Sequence, residues 1–361
     1  MSTEPTGSTS HDDFTESQMP NIEHGKPTID DYKIVCIKLG LVMLAYFICR
    51  IIGAVISSVI WGMADNISQT AAYIIIMSLT VVLVYIIPML FTAFIFRSFS
   101  YYNMGSETFR TLYKRDKRLA SALGTFPAMY GLGYGVALLT LLASFLLSRV
   151  TGGETFISDL LRPAVVEPAT GLGSAIMMVF MLVVIAPVFE EVWVRGIMYD
   201  ALKPFGHGIA IIISSILFGL MHGSLYMLFY TTILGFALGY IRYATNSLLI
   251  VTILHAIFNA VAAGLLFLMA LTDITLGENR LINTVSNIYV LAVLVLIVVG
   301  LVAFIVRIPI IRKYKIENTW TEISAGKKIA LFFFSVPVII MLVFAFNELT
   351  GHWLLGLLLG I

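Results

Sequence analysis

GSAIMMVFMLVVIAPVFEEVWVRG, residues 173–196, decides the fold: no side chain from Gly173 to Phe189 is charged, and Glu190, Glu191 and Arg195 then follow in quick succession. On translocon-type scales a central acidic residue costs a membrane helix roughly 2.5 to 3.5 kcal/mol, so adjacent glutamates persist only where something faces them. Glu191 and Arg195 stand four apart, on one face of a helix. One carboxylate can therefore be neutralised within its own helix while Glu190 stays available.

Two other apolar segments carry groups that do not belong in lipid. FGLMH holds Phe218 and His222, and HAIFN holds His255 and Asn259; each pair has the four-residue spacing that points both members in one direction. Thr252, His255 and Asn259 form one polar stripe. Depth supports a meeting. From the turn near Phe205 and Gly206, Glu190 and His222 lie at about the same height, 22 to 24 Å along an antiparallel hairpin; His255 and Asn259 lie about 15 to 21 Å from the turn near Thr245. A modest protrusion of the helix bearing Glu190 brings all four into one layer. Pro187 removes a backbone donor just before Glu190, which is tolerated where the freed groups meet protein or trapped water. The pairs Gly235/Gly239 and Gly219/Gly223 allow close helix approach around the same layer.

The whole chain agrees with a membrane setting. Only 12% of its 361 residues are charged and its mean hydropathy is +0.95, whereas about a quarter of the residues of a soluble domain are charged. An all-α, polytopic membrane helix bundle of about eight or nine spans is expected. A net charge of +1 gives no case for nucleic-acid binding. Cys36 and Cys49 share one apolar segment and make neither a disulfide framework nor a thiolate metal site.

Residues 1–31 are polar and read as a disordered cytoplasmic tail, followed by a transmembrane domain over 32–361. Apolar spans fall near 34–62, 70–96, 119–148, 172–202, 209–223, 225–242, 247–270, 287–311 and 329–347, the fifth and sixth being short; 349–361 is too short to cross and reads as interfacial. Arg50 lies inside the first span with no partner evident in sequence. The basic links, with Arg97, Arg110, Lys114, Arg115, Lys117 and Arg118 in one and Arg312, Lys313, Lys315, Lys327 and Lys328 in another, fall on one side with Lys203 and Arg242. The opposite links are acidic or mixed, so the positive-inside rule places the amino terminus in the cytoplasm. No internal repeat is evident.

A carboxylate beside an imidazole can take a proton from water, and a second imidazole with an amide N–H can donate to a developing oxyanion. These are the parts for adding water to an amide carbonyl. Glu190, His222 and His255 could equally make a two-His, one-carboxylate zinc set with an open position. The HExxH pattern of zincins is absent.

EExxxR, FxxxH and HxxxN, in this order on separate apolar segments, resemble the CAAX protease and bacteriocin-processing (CPBP, or Abi) family of intramembrane proteases over residues 172–261. The resemblance implies that Glu190 and His222 activate water, that His255 and Asn259 stabilise the oxyanion, and that Glu191, Arg195 and Phe218 support them. It implies no required cofactor, with zinc the alternative, and a peptide or lipidated-protein substrate in a bacterial cell membrane. Val194 stands where many members carry an aromatic residue. Other classes remain open: a membrane protein that only binds a peptide, as in immunity, or a proton-coupled transporter, although paired broken helices are not evident.

Overall fold

The computed structural model describes residues 26–63, 68–96, 119–153, 171–275, 277, 279–311, 316 and 320–350. The basic stretches 97–118 and 312–315, the acidic stretch 154–167, tail residues 1–25 and segment 351–361 lie outside the described residues. Every regular element among the described residues is helical.

Ten helices follow one another: α1 (Ile29–Gly62), α2 (Gln69–Phe96), α3 (Leu119–Val150), α4 (Leu172–Phe205), α5 (His207–Leu220), α6 (Leu225–Thr245), α7 (Leu248–Ile274), α8 (Arg280–Ile311), α9 (Ala325–Phe333) and α10 (Val336–Leu349). Seven are long and apolar enough to cross a membrane, and α9 with α10 makes an eighth if that pair, bent by 69°, is one span. The chain is thus a multi-pass membrane protein. The span expected at 209–223 is α5, whose 14 residues cover about 21 Å, well short of a hydrocarbon core of about 30 Å. It stops in a turn at the level of the polar cluster.

α1 starts at Ile29, inside the stretch read as tail, because Thr28 and Asp31 form a reciprocal capping box. The outward faces are apolar. On α8, Ile288, Leu291, Val295, Val298, Val302 and Ile305 are all exposed, as suits a helix bathed in acyl chains rather than water.

Close backbone approach sets the helix pairs. A Cβ on Gly300 of α8 would collide with the Pro127 carbonyl and Gly131 of α3, so these two helices touch backbone to backbone. α5 and α6 form an antiparallel hairpin, with Gly235 against Ser215, Gly239 against Ile211, and Gly219 against Thr232 and Leu228. Three of the four glycines singled out in sequence are therefore packing residues. Gly223 is instead a turn residue, with φ of +63°.

Candidate active site

Helix α4 is not regular where it carries the glutamates. Residues Met181–Ile185 and Val192–Met198 wind as π-helix on either side of Ala186–Glu191. Within the first π-turn the N–H of Ala186 bonds to the carbonyl of Met181, five residues back. The next bond in that register would run from residue 187 to the Leu182 carbonyl, but Pro187 has no N–H to give. Asn259 supplies the missing donor: its Nδ2 lies 2.9 Å from the Leu182 oxygen. One amide proton of Asn259 thus holds α7 against α4, and the second is not committed by this bond.

Glu191 and Arg195 form the ion pair that their spacing predicts, 2.9 Å from Oε1 to Nη1, with both side chains fully buried. Arg195 also donates to the Gly235 carbonyl at 3.2 Å and lies over the Phe218 ring, 4.4 Å from its centre. The same Glu191 oxygen accepts from His255 Nδ1 at 2.8 Å. Because a carboxylate can only accept, that contact places a proton on Nδ1 and turns Nε2 of His255 toward Glu190, whose Oε2 is 3.8 Å away. Among the described residues, two buried atoms here, Glu191 Oε2 and Arg195 Nε, have no hydrogen-bond partner.

Glu190 is buried and accepts from the Tyr85 hydroxyl at 3.3 Å. Tyr85 lies in a third π-helical stretch, Val81–Ile86 of α2, and its ring sits 5.5 Å from that of Phe189. π-turns recur where a side chain must be re-aimed at a functional site. Sequence reading missed Tyr85, one tyrosine among many in apolar segments.

His222 follows the end of α5. Its Nδ1 is 2.8 Å from the Phe218 carbonyl, which can only accept, so Nδ1 carries a proton and Nε2 of the neutral ring is a free acceptor. Phe218 stands edge-on to both imidazoles, with ring centres 4.9 Å from His222 and 5.6 Å from His255. The two rings therefore flank one phenylalanine. Among the described residues His222 makes no hydrogen bond or ion pair with either glutamate.

Arg50 has a partner after all. Its Nη2 meets Glu348 Oε2 of α10 at 3.1 Å, and its Nη1 donates to the Met221 carbonyl at 3.0 Å, an oxygen that also accepts from the Tyr46 hydroxyl at 2.9 Å. The turn that carries His222 is thereby tied to both the first and the last described helix. Gly223 belongs to this latch, since a Cβ there would fall 2.6 Å from Arg50 Nη2 and 3.1 Å from Glu348 Oε2. The available signal in sequence was a pair of isolated charges of opposite sign in apolar segments far apart in the chain.

Among the described residues no group of three His, Cys, Asp or Glu side chains is disposed to hold a metal ion, so Glu190, His222 and His255 are not assembled as a zinc ligand set.

Transmembrane and half-length helices thus bring the buried acid Glu190 near His255 and set His222 beside the same Phe218 ring as His255. Residues 172–261, about a quarter of the chain, match the family described as Rce1-like, type II CAAX prenyl endopeptidases. This segment holds the EExxxR, FxxxH and HxxxN motifs, and what it is similar to is an endopeptidase domain of the CAAX type. No curated protein and no solved structure matches the chain.

Two outcomes test this arrangement. Asn259→Leu strands the Leu182 carbonyl and should lower thermal stability by about 1 kcal/mol; adding Pro187→Ala, which restores a backbone donor, should recover part of that loss, whereas additive losses would break the proposed exchange. For the latch, Arg50→Met and Glu348→Met should each destabilise the protein, with the double variant losing less than the sum by about 1 kcal/mol or more. Strict additivity in detergent melting curves would show the two side chains to be uncoupled.

Proposed function

We propose that this protein hydrolyses a peptide bond of a membrane-associated peptide or lipidated protein at the depth of Glu190. The description of the matching family as prenyl endopeptidases makes a lipidated protein tail one substrate class. The observation that carries the reading is the chain Glu190, His255, Glu191, Arg195: an available carboxylate 3.8 Å from an imidazole that a fully buried ion pair holds by its other nitrogen.

In this reading the attacking water gives one proton to Glu190 and hydrogen-bonds through the other to Nε2 of His222 as its oxygen bonds to the carbonyl carbon. The carbonyl π electrons move onto oxygen, and the oxyanion accepts from the remaining amide proton of Asn259 and, whenever His255 carries a proton on Nε2 as well as on Nδ1, from that N–H. Collapse breaks the C–N bond, and the proton taken from water passes to the leaving amine. Glu191 orients His255, Arg195 pairs with Glu191 in a buried place, and Phe218 spaces the two imidazoles. The step is glutamate-dependent and draws on no metal. The amino terminus faces the cytoplasm of a cell membrane, as the basic links suggest.

The test is purified protein in liposomes against a peptide library that includes prenylated carboxyl-terminal peptides. Turnover by the wild type should fall by about 10²-fold or more in Glu190→Gln and in His222→Ala; equal turnover in all three removes the assignment. Treatment with a chelator should leave activity unchanged and the purified protein should hold less than stoichiometric metal. Loss of activity on chelation, restored by zinc, would assign Glu190, His222 and His255 to a metal instead.

A further inference from the structure

Far from the glutamates, a cleft of about 540 Å³ opens between the start of α1 and the bend joining α9 to α10. Its size lies within the range of roughly 300 to 1,000 Å³ typical of small-ligand sites. Lys33 and Lys327 stand on its wall with Ile37, Leu331, Phe334 and Val336.

The two ends of the cleft differ in chemistry and in level. The Tyr32 hydroxyl donates to the Lys328 carbonyl at 2.9 Å, which ties the start of α1 to α9 next to Lys33 and Lys327. Further along α1, Gly40 lies against Pro337 and Val338, where a Cβ would come within 2.9 Å of both. From Lys33 to Gly40 is about 10 Å of helix. The cleft thus runs from the end lined by Lys33 and Lys327 to an apolar floor that includes Ile37, one turn or about 6 Å further along α1, and Pro337. Phe334 and Val336, on either side of the bend, are 78% and 68% exposed, so the protein leaves this floor uncovered. Lys327 makes no ion pair among the described residues. Lys33 pairs with Asp30 at 2.8 Å, but both are well exposed, and such a solvent-screened surface pair is weak and readily exchanged.

We infer that this cleft binds one anionic glycerophospholipid, with its phosphate between Lys33 and Lys327 and an acyl chain along Ile37, Leu331, Phe334 and Val336. The site is separate from the proteolytic centre and does not rest on the reading given for it. Basic pockets between transmembrane helices take anionic headgroups because the charge is met at the interface while the chains remain in apolar surroundings. A water-soluble phosphate compound would satisfy the lysines and leave the floor bare.

The experiment uses the full chain in detergent, titrated with phosphatidylglycerol or phosphatidylcholine and followed by native mass spectrometry and thermal melting. Phosphatidylglycerol should be retained roughly ten- to thirtyfold more tightly. Lys33→Gln with Lys327→Gln should abolish that preference, and Lys33→Arg with Lys327→Arg, which keeps both charges, should preserve it. Equal retention of the two lipids overturns the inference, as does full preference in the double glutamine variant. Stabilisation by inorganic phosphate alone, equal to that by the lipid, would assign the lysines to a soluble anion. A dimer whose formation is abolished by Phe334→Asp, with no lipid retained, would assign the cleft to a second copy of the chain.

Discussion

Everything near the polar layer depends on the carboxylate of Glu191, which is fully enclosed by protein and shared between Arg195 and His255. An uncompensated charge in that place would cost several kcal/mol. Its partners are therefore obligatory, and each fixes something else. Arg195 reaches across to the Gly235 carbonyl of α6 and covers the ring of Phe218 on α5. His255 brings in α7. A single oxygen thus sets the mutual positions of the helices that line the site, and the neighbouring Glu190 inherits a defined orientation from it.

The irregular winding of α4 belongs to the same account. A π-turn, a proline and a second π-turn interrupt the helix around the glutamates, and each leaves backbone groups that lipid cannot satisfy. The protein meets this need from outside the helix, most directly with Asn259 on the Leu182 carbonyl. The same side chain therefore has a packing duty in addition to the chemical one proposed for it. Tyr85 shows the complementary case, where a π-turn in α2 carries a phenol to Glu190.

Sequence alone made the membrane character, most of the spans and the pairing of Glu191 with Arg195 legible, because burial of charge in apolar runs is costly enough to be read one residue at a time. The convergence of Glu190 and His255 was also readable, through helical rise and turn positions. The length of α5 was not: an apolar stretch running on past Leu220 conceals where the backbone turns. Contacts between distant segments were equally hidden. Arg50 was visibly out of place, but nothing in a linear reading singles out Glu348, and Tyr85 looks like any aromatic residue in a lipid-facing helix. Asn259 was placed on the correct face, while its bond to a carbonyl freed by Pro187 required the π-turn, which has no clear sequence signature.

The Arg50–Glu348 latch has a consequence for the order of assembly. The hairpin turn bearing His222 is gripped from α1, made before every other described helix, and from α10, made after all of them. During synthesis the matched segment can be inserted and paired while the grip on that turn still lacks its carboxylate. Completion of the site thus waits on the arrival of the last described helix, and a half-built chain carries the motifs without the finished machine.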